Sequence, residues 1–145
     1  MALRARRVAR ARRTAPAAPP DRLARALRRG YDAAMVTVAI RELFFRSKVS
    51  AAAERLGVAV KLVPLAATLE QTVREAGGGL VLVDLNQPGI LDQVRAAKRA
   101  APVRVVGFLG HLQTDLMAEA SAAGVDEVLA RGELTRRLDG ILRAG

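Results

Sequence analysis

The chain of 145 residues contains no cysteine and no tryptophan, and only one histidine, one tyrosine and three phenylalanines. The absence of cysteine excludes disulfides, thiolate metal sites and thiol nucleophiles, so the fold must rest on packing alone. The single histidine, His111, has no second histidine or cysteine to share a metal ion with, and a loop or helix-cap role is expected for it. Serine is also sparse in the hydrophobic part of the chain. Ser47, Ser50 and Ser121 all fall in helical or pre-helical segments, and none sits on the strained strand-to-helix turn that a serine nucleophile needs. No stretch approaches the roughly 18 apolar residues of a transmembrane helix.

What the chain has in excess is arginine, 21 against three lysines, with a net charge of +10. That charge is unevenly placed. Residues 1–34 hold ten arginines against Asp21 and Asp32, a net of +8, whereas the remainder is close to neutral at +2. Residues 1–20 combine arginine, alanine and the cluster Pro16, Pro19, Pro20, a composition too poor in large apolar side chains to offset ordering entropy, and disorder is expected there. Residues 21–29 have the pattern of a short basic helix capped by Asp21 and stopped at Gly30, marginal by itself. A secretory signal is excluded because no apolar core follows the charges; a transit peptide stays open, since the leader is Arg-rich and acid-poor as such peptides are, although it lacks their serine. Two further readings stay open. One is an arginine arm for nucleic acid or an acidic membrane surface. The other is a start of translation at Met35, since the arginine bias suggests a GC-rich genome in which upstream open frames are rich in Arg, Ala and Pro.

From Met35 the apolar pattern alternates between short continuous runs and helical spacing, which indicates a parallel sheet covered on both faces. The runs are residues 35–40, 58–63, 80–85, 103–109 and 127–130, several of them valine-rich as expected for strands buried on both sides. Between them lie sets with one apolar face: Val49, Ala52, Ala53, Leu56; Leu65, Leu69, Val73, Ala76; Ile90, Val94, Ala97; Leu112, Leu116, Ala120, Ala123; and finally Leu134, Leu138, Ile141, Leu142. Gly57 and Gly124 stand where a helix ends and an apolar residue re-enters the sheet. The run Gly77, Gly78, Gly79 is not a phosphate loop, because it follows a helix and precedes a strand, the reverse of that motif's order. Five βα units imply a doubly wound α/β domain over residues 35–145 with strand order 2-1-3-4-5. Any site then lies at the carboxyl ends of strands 1, 3 and 4. That rule singles out Arg41 and Glu42, Asp84, residues 109–111 and Arg131.

These positions carry a resemblance. Residues 80–89, LVLVDLNQPG, resemble the third strand and following loop of response-regulator receiver domains, whose aspartate accepts a phosphoryl group, and Asp84 falls on that aspartate. Residues 102–131 are similar to the family's fourth strand, fourth helix and fifth strand, and the likeness spans about residues 36–143. It implies the flavodoxin-like receiver fold, a cytoplasmic signalling role with a histidine kinase or downstream signalling protein as partner, and Mg2+ held by Glu42 and Asp84 if the site is active. The same likeness exposes departures. The family's adjacent acid pair reads Arg41-Glu42, its Ser or Thr after strand 4 aligns with Leu109 or Gly110, and its Lys-Pro after strand 5 reads Arg131-Gly132. Arg131 keeps the charge but not the reach or donor geometry of lysine. The expectation is therefore a degenerate receiver, not an enzyme in its own right, that docks a partner regardless of phosphate, for instance through strand 5 and its flanking helices.

For Asp84, a phosphoacceptor role stands beside a structural one, in which the carboxylate bonds loop amides or pairs with Arg41 or Arg131. The segment RELFFRSKV, residues 41–49, reads either as core plus a solvated basic turn or as a docking patch at the mouth of the site. Nucleic-acid binding through residues 1–34 is a rival function. A flavodoxin-like or cobalamin-type ligand domain is another, disfavoured because no glycine-rich loop or histidine follows strand 1.

Overall fold

A computed structural model describes residues 35–110 and 113–144. The leader, its expected short helix over residues 21–29, His111 and Leu112 lie outside the described residues. The order of elements is β1 (Val36–Ala39), α1 (Leu43–Leu56), β2 (Val60–Leu62), α2 (Leu69–Ala76), β3 (Gly79–Asp84), α3 (Ile90–Ala100), β4 (Val103–Leu109), α4 (Thr114–Ala123), β5 (Glu127–Ala130) and α5 (Arg131–Ala144). All strand pairings are parallel, and the sheet runs β2-β1-β3-β4-β5, the doubly wound order expected from the sequence.

The period-two alternation of side chains sorts the strand residues into two apolar layers. Val36, Val38, Leu80, Leu82, Val106 and Phe108 face α1 and α5, where Phe45, Val49, Leu134 and Leu138 meet them. Val81, Val83, Val105 and Leu109 face the other way, against Leu69 and Val73 of α2, Ile90 and Val94 of α3 and Ala120 of α4. Burial on both faces is why these strands read as continuous valine and leucine runs and not as alternations.

The second helical segment begins later than its apolar spacing suggested. Leu65 does not belong to it and is 82% exposed in the turn after β2. Thr68 sets the start instead. Its hydroxyl accepts from the Gln71 amide while the Gln71 side chain accepts from the Thr68 amide, so two orphan helix donors are satisfied reciprocally. Strand β2 is also shorter than the apolar run, since Val58 lies outside the ladder. Gly57, Gly77 and Gly124 end α1, α2 and α4 in the left-handed conformation, as their positions suggested.

Ahead of β5, the Asp126 carboxylate accepts from Lys98 Nζ and from the Val105 amide, both at 2.8 Å, and so clips α3 and β4 together. Partial burial pushes this carboxyl up, but the Lys98 and Val105 hydrogen bonds and the charges of Lys98 and Arg104 outweigh it and hold the group below its ordinary range.

Among the described residues, one buried side-chain polar group has no hydrogen-bond partner. Thr37, fully buried in β1 beside Val81, carries a hydroxyl with no hydrogen bond. An unmet buried hydroxyl costs about 1–3 kcal/mol, and valine has nearly the same shape without it. Thr37→Val is therefore expected to stabilise the fold by about 1 kcal/mol, read as a higher urea midpoint at unchanged m. A lower midpoint would show that the hydroxyl is satisfied in solution.

Candidate functional site

The carboxyl ends of β1, β3 and β4 meet around Asp84, the last residue of β3. Its side chain belongs to the α1/α5 layer, because Asp84 registers with Phe108 on β4 and Phe108 with Leu129 on β5. The carboxylate is half-buried, and its Oδ1 accepts from the Asn86 amide at 3.0 Å, closing a local turn. Among the described residues it forms no ion pair, so the expected pairing with Arg41 or Arg131 is not found; the loop-amide arrangement is.

Two amide side chains organise the loop that follows. Gln87 Nε2 donates to the carbonyl of Ala39 at 2.6 Å and to that of Asp84 at 3.0 Å, bridging the ends of β1 and β3. Asn86 Oδ1 accepts from the Gly110 amide at 3.2 Å and ties the same loop to the end of β4. Sequence reasoning passed over both residues. Their signal was present, since side-chain amides just after a strand and before a Pro-Gly turn commonly serve neighbouring backbone groups.

Glu42, the one acid after β1, is the N-cap of α1. Its Oε1 accepts from the Phe44 amide at 3.2 Å and its Oε2 from the Phe45 amide at 2.8 Å, so both oxygens serve the helix start. Continued one step past the Ala39–Val83 pair, the β1–β3 register sets Ile40 opposite Asp84, and Ile40 is 4% exposed and part of the apolar layer with Leu82 and Phe108. Arg41 is exposed and turned to a different crevice, flanked by Arg46 and Leu65.

Arg131 is not in a loop after β5 but is the first residue of α5. Its guanidinium lies over two aromatic rings, 5.4 Å from the centroid of Phe45 and 5.8 Å from that of Phe108. The rings themselves pack at 4.9 Å, tilted by 32°. Such contacts contribute roughly 0.5–1 kcal/mol at exposed sites and hold the guanidinium against the ring faces. Leu109 points into the opposite layer, fully buried, so of the two candidate positions for the family's hydroxyl only Gly110 borders the Asp84 loop, and it has no side chain.

These residues do not fit a magnesium site of the receiver kind. Magnesium needs several oxygens in octahedral array. Here the residue that follows β1, Ile40, is apolar and buried, Glu42 is committed to helix amides, and among the described residues no group of three or more His, Cys, Asp or Glu is placed to hold a metal.

No family model matches the sequence, and no curated protein matches it significantly. Solved structures do match. A response regulator from Thermotoga maritima is 19% identical with a TM-score of 0.60, over 76% of this chain and 98% of its own. A response regulator protein from Burkholderia pseudomallei, with a phosphorylated aspartic acid and a calcium ion, is 21% identical with a TM-score of 0.58, over 78% of this chain and 66% of its own. A CheY-like receiver domain protein from Methanospirillum hungatei is 15% identical with a TM-score of 0.56, over 79% of this chain and all of its own. The fold is that of response-regulator receiver domains. Among the described residues no helix is long and apolar enough to cross a membrane.

Proposed function

We propose that residues 35–145 form a degenerate receiver domain that works in cytoplasmic signal transduction as a protein-binding module, without enzymatic activity and without needing a phosphoryl group on Asp84. The observation that carries this reading is the position of Arg131, the one cation aligned with the receiver lysine. Phosphoryl transfer to a carboxylate depends on positive charge aimed at the equatorial oxygens. The Arg131 guanidinium is stacked on Phe45 and Phe108 instead. The capping role of Glu42 and the isoleucine at position 40 support the same conclusion, since they leave Asp84 without a partner acid for a metal ion. A histidine kinase is then not required as donor, and a downstream signalling protein is the partner to seek.

Incubation of the full chain with acetyl phosphate and magnesium, followed by intact mass measurement, tests the proposal. The expected result is an unchanged mass. A gain of one phosphoryl group that disappears in Asp84→Asn would restore the phosphoacceptor reading and overturn this one.

A further inference from the structure

Among the described residues the exposed large hydrophobic side chains are Leu43 (74%), Phe44 (72%) and Leu65 (82%), and all three lie at the carboxyl end of the β2-β1 side of the sheet. Leu65 and Pro64, from the β2-α2 turn, line a crevice together with Arg41 and Arg46. Its enclosed volume is only about 40 Å³, room for the tip of one aliphatic side chain and far too little for a nucleotide or flavin. No acidic residue lines it.

Some surface cations, Arg99 and Arg136 among them, have no carboxylate partner among the described residues, and the cations at this end of the sheet share that condition while standing beside exposed apolar side chains. Lys61, Arg74, Arg95 and Lys98 each pair with a carboxylate, whereas Arg41, Arg46 and Lys48 enter no ion pair among the described residues. The one acid within residues 41–48 is Glu42, and its carboxylate is consumed by the α1 amides. Lys48 Nζ instead sits 5.6 Å from the centroid of the exposed Phe44 ring. The two cations that line the crevice without an ion-pair partner, Arg41 and Arg46, form an electrostatic half-site beside exposed apolar surface that calls for carboxylates, and guanidinium forks take these in bidentate geometry.

We propose that the crevice flanked by Arg41 and Arg46, with Leu65 in its wall and Phe44 on the adjoining helical turn, captures a short acidic peptide segment through one aliphatic anchor side chain. The concavity favours a peptide over a flat lipid surface, since a side chain can enter it while flanking carboxylates meet the two arginines. The site lies on the opposite edge of the sheet from the strand 5 face suggested by the sequence. The inference rests on the reading of this domain as a protein-binding module.

The test is amide NMR of the full chain titrated with an acidic peptide of alternating glutamate and leucine, with the same peptide carrying serine for leucine, and with phosphatidylserine vesicles. The leucine peptide is expected to shift amides of residues 41–48 and 65–67 and to bind about tenfold more tightly than the serine peptide. Arg41→Glu with Arg46→Glu, and separately Leu65→Ser, should each weaken it by about tenfold or more; Arg41 and Leu65 are exposed and Arg46 is half-buried in α1, so unchanged resonances of distant residues are required to show that the fold is kept. Shifts confined to residues 1–34, equal binding by the variants, or a response to vesicles without one to peptide would each overturn the proposal. Phosphoryl uptake by Asp84 in the mass experiment would overturn the parent reading, whereas a lost peptide response with unchanged mass removes only this site.

Discussion

Phe108→Ala should lower stability by about 3–5 kcal/mol, the range for truncating a fully buried phenylalanine. The side chain has no exposed surface and stands in the middle of the α1/α5 layer, in contact with the Phe45 ring and beneath the Arg131 guanidinium. Its removal loses the transfer free energy of the ring and leaves a cavity bounded by β3, α1 and α5, elements too firmly packed to collapse into it. Since domains of this size have roughly 5–15 kcal/mol in all, the variant should approach the threshold of folding at room temperature. Phe108→Leu, which conserves most of the volume, should cost less than about 2 kcal/mol. Urea unfolding of both, compared at equal m, checks the pair. A loss below 1 kcal/mol for the alanine variant would contradict the central placement of this ring.

The second large effect is expected at Gly78. Its φ is +113°, and a Cβ built there would stand 2.6 Å from the carbonyl oxygen of Pro102. That oxygen belongs to backbone held by a hydrogen bond from the Gly79 amide, 3.2 Å, so it cannot swing away as a flexible side chain would. Backbone strain of about 1–3 kcal/mol adds to a steric cost of similar size, giving roughly 3–5 kcal/mol for Gly78→Ala. At about 4 °C per kcal/mol, melting should fall by more than about 10 °C. Gly57→Ala is the control, because φ there is +70° and nothing lies within 4 Å of the added methyl. It should cost only about 1–2 kcal/mol. Equal losses at the two positions would mean that the Pro102 contact is absent in solution.

The strands were readable because burial on both faces removes polar alternation, and β4 and β5 fall on the residues their apolar runs marked. Leu65 misled because apolar spacing extends a helix upstream without regard to its cap, and the Thr68–Gln71 box overrides that spacing. In the site, the position of Asp84 was legible from a strand followed by a Pro-Gly turn. The role of Glu42 was not, since glutamate is a weak N-cap signal beside Ser, Thr, Asp or Asn. The stacking of Arg131 on Phe45 joins elements at opposite ends of the domain sequence, and no local pattern encodes such a contact. Which layer Leu109 faces depends on register with β3 and β5, information that exists only once the sheet is assembled.

The outer strands of the sheet have a consequence for behaviour at high concentration. Open strand edges are templates for pairing with another molecule, and proteins blunt them by brevity and charge. Here β2 has three residues with Lys61 at its centre, bound to Glu75 at 2.6 Å, and β5 has four residues opening on Glu127, which is bridged to both Arg104 and Arg137. A strand added at either margin would have to displace these ion pairs for a few hydrogen bonds. The chain should therefore resist growth into ribbon-like aggregates even though its interior is built from the valine-rich segments that would otherwise favour them.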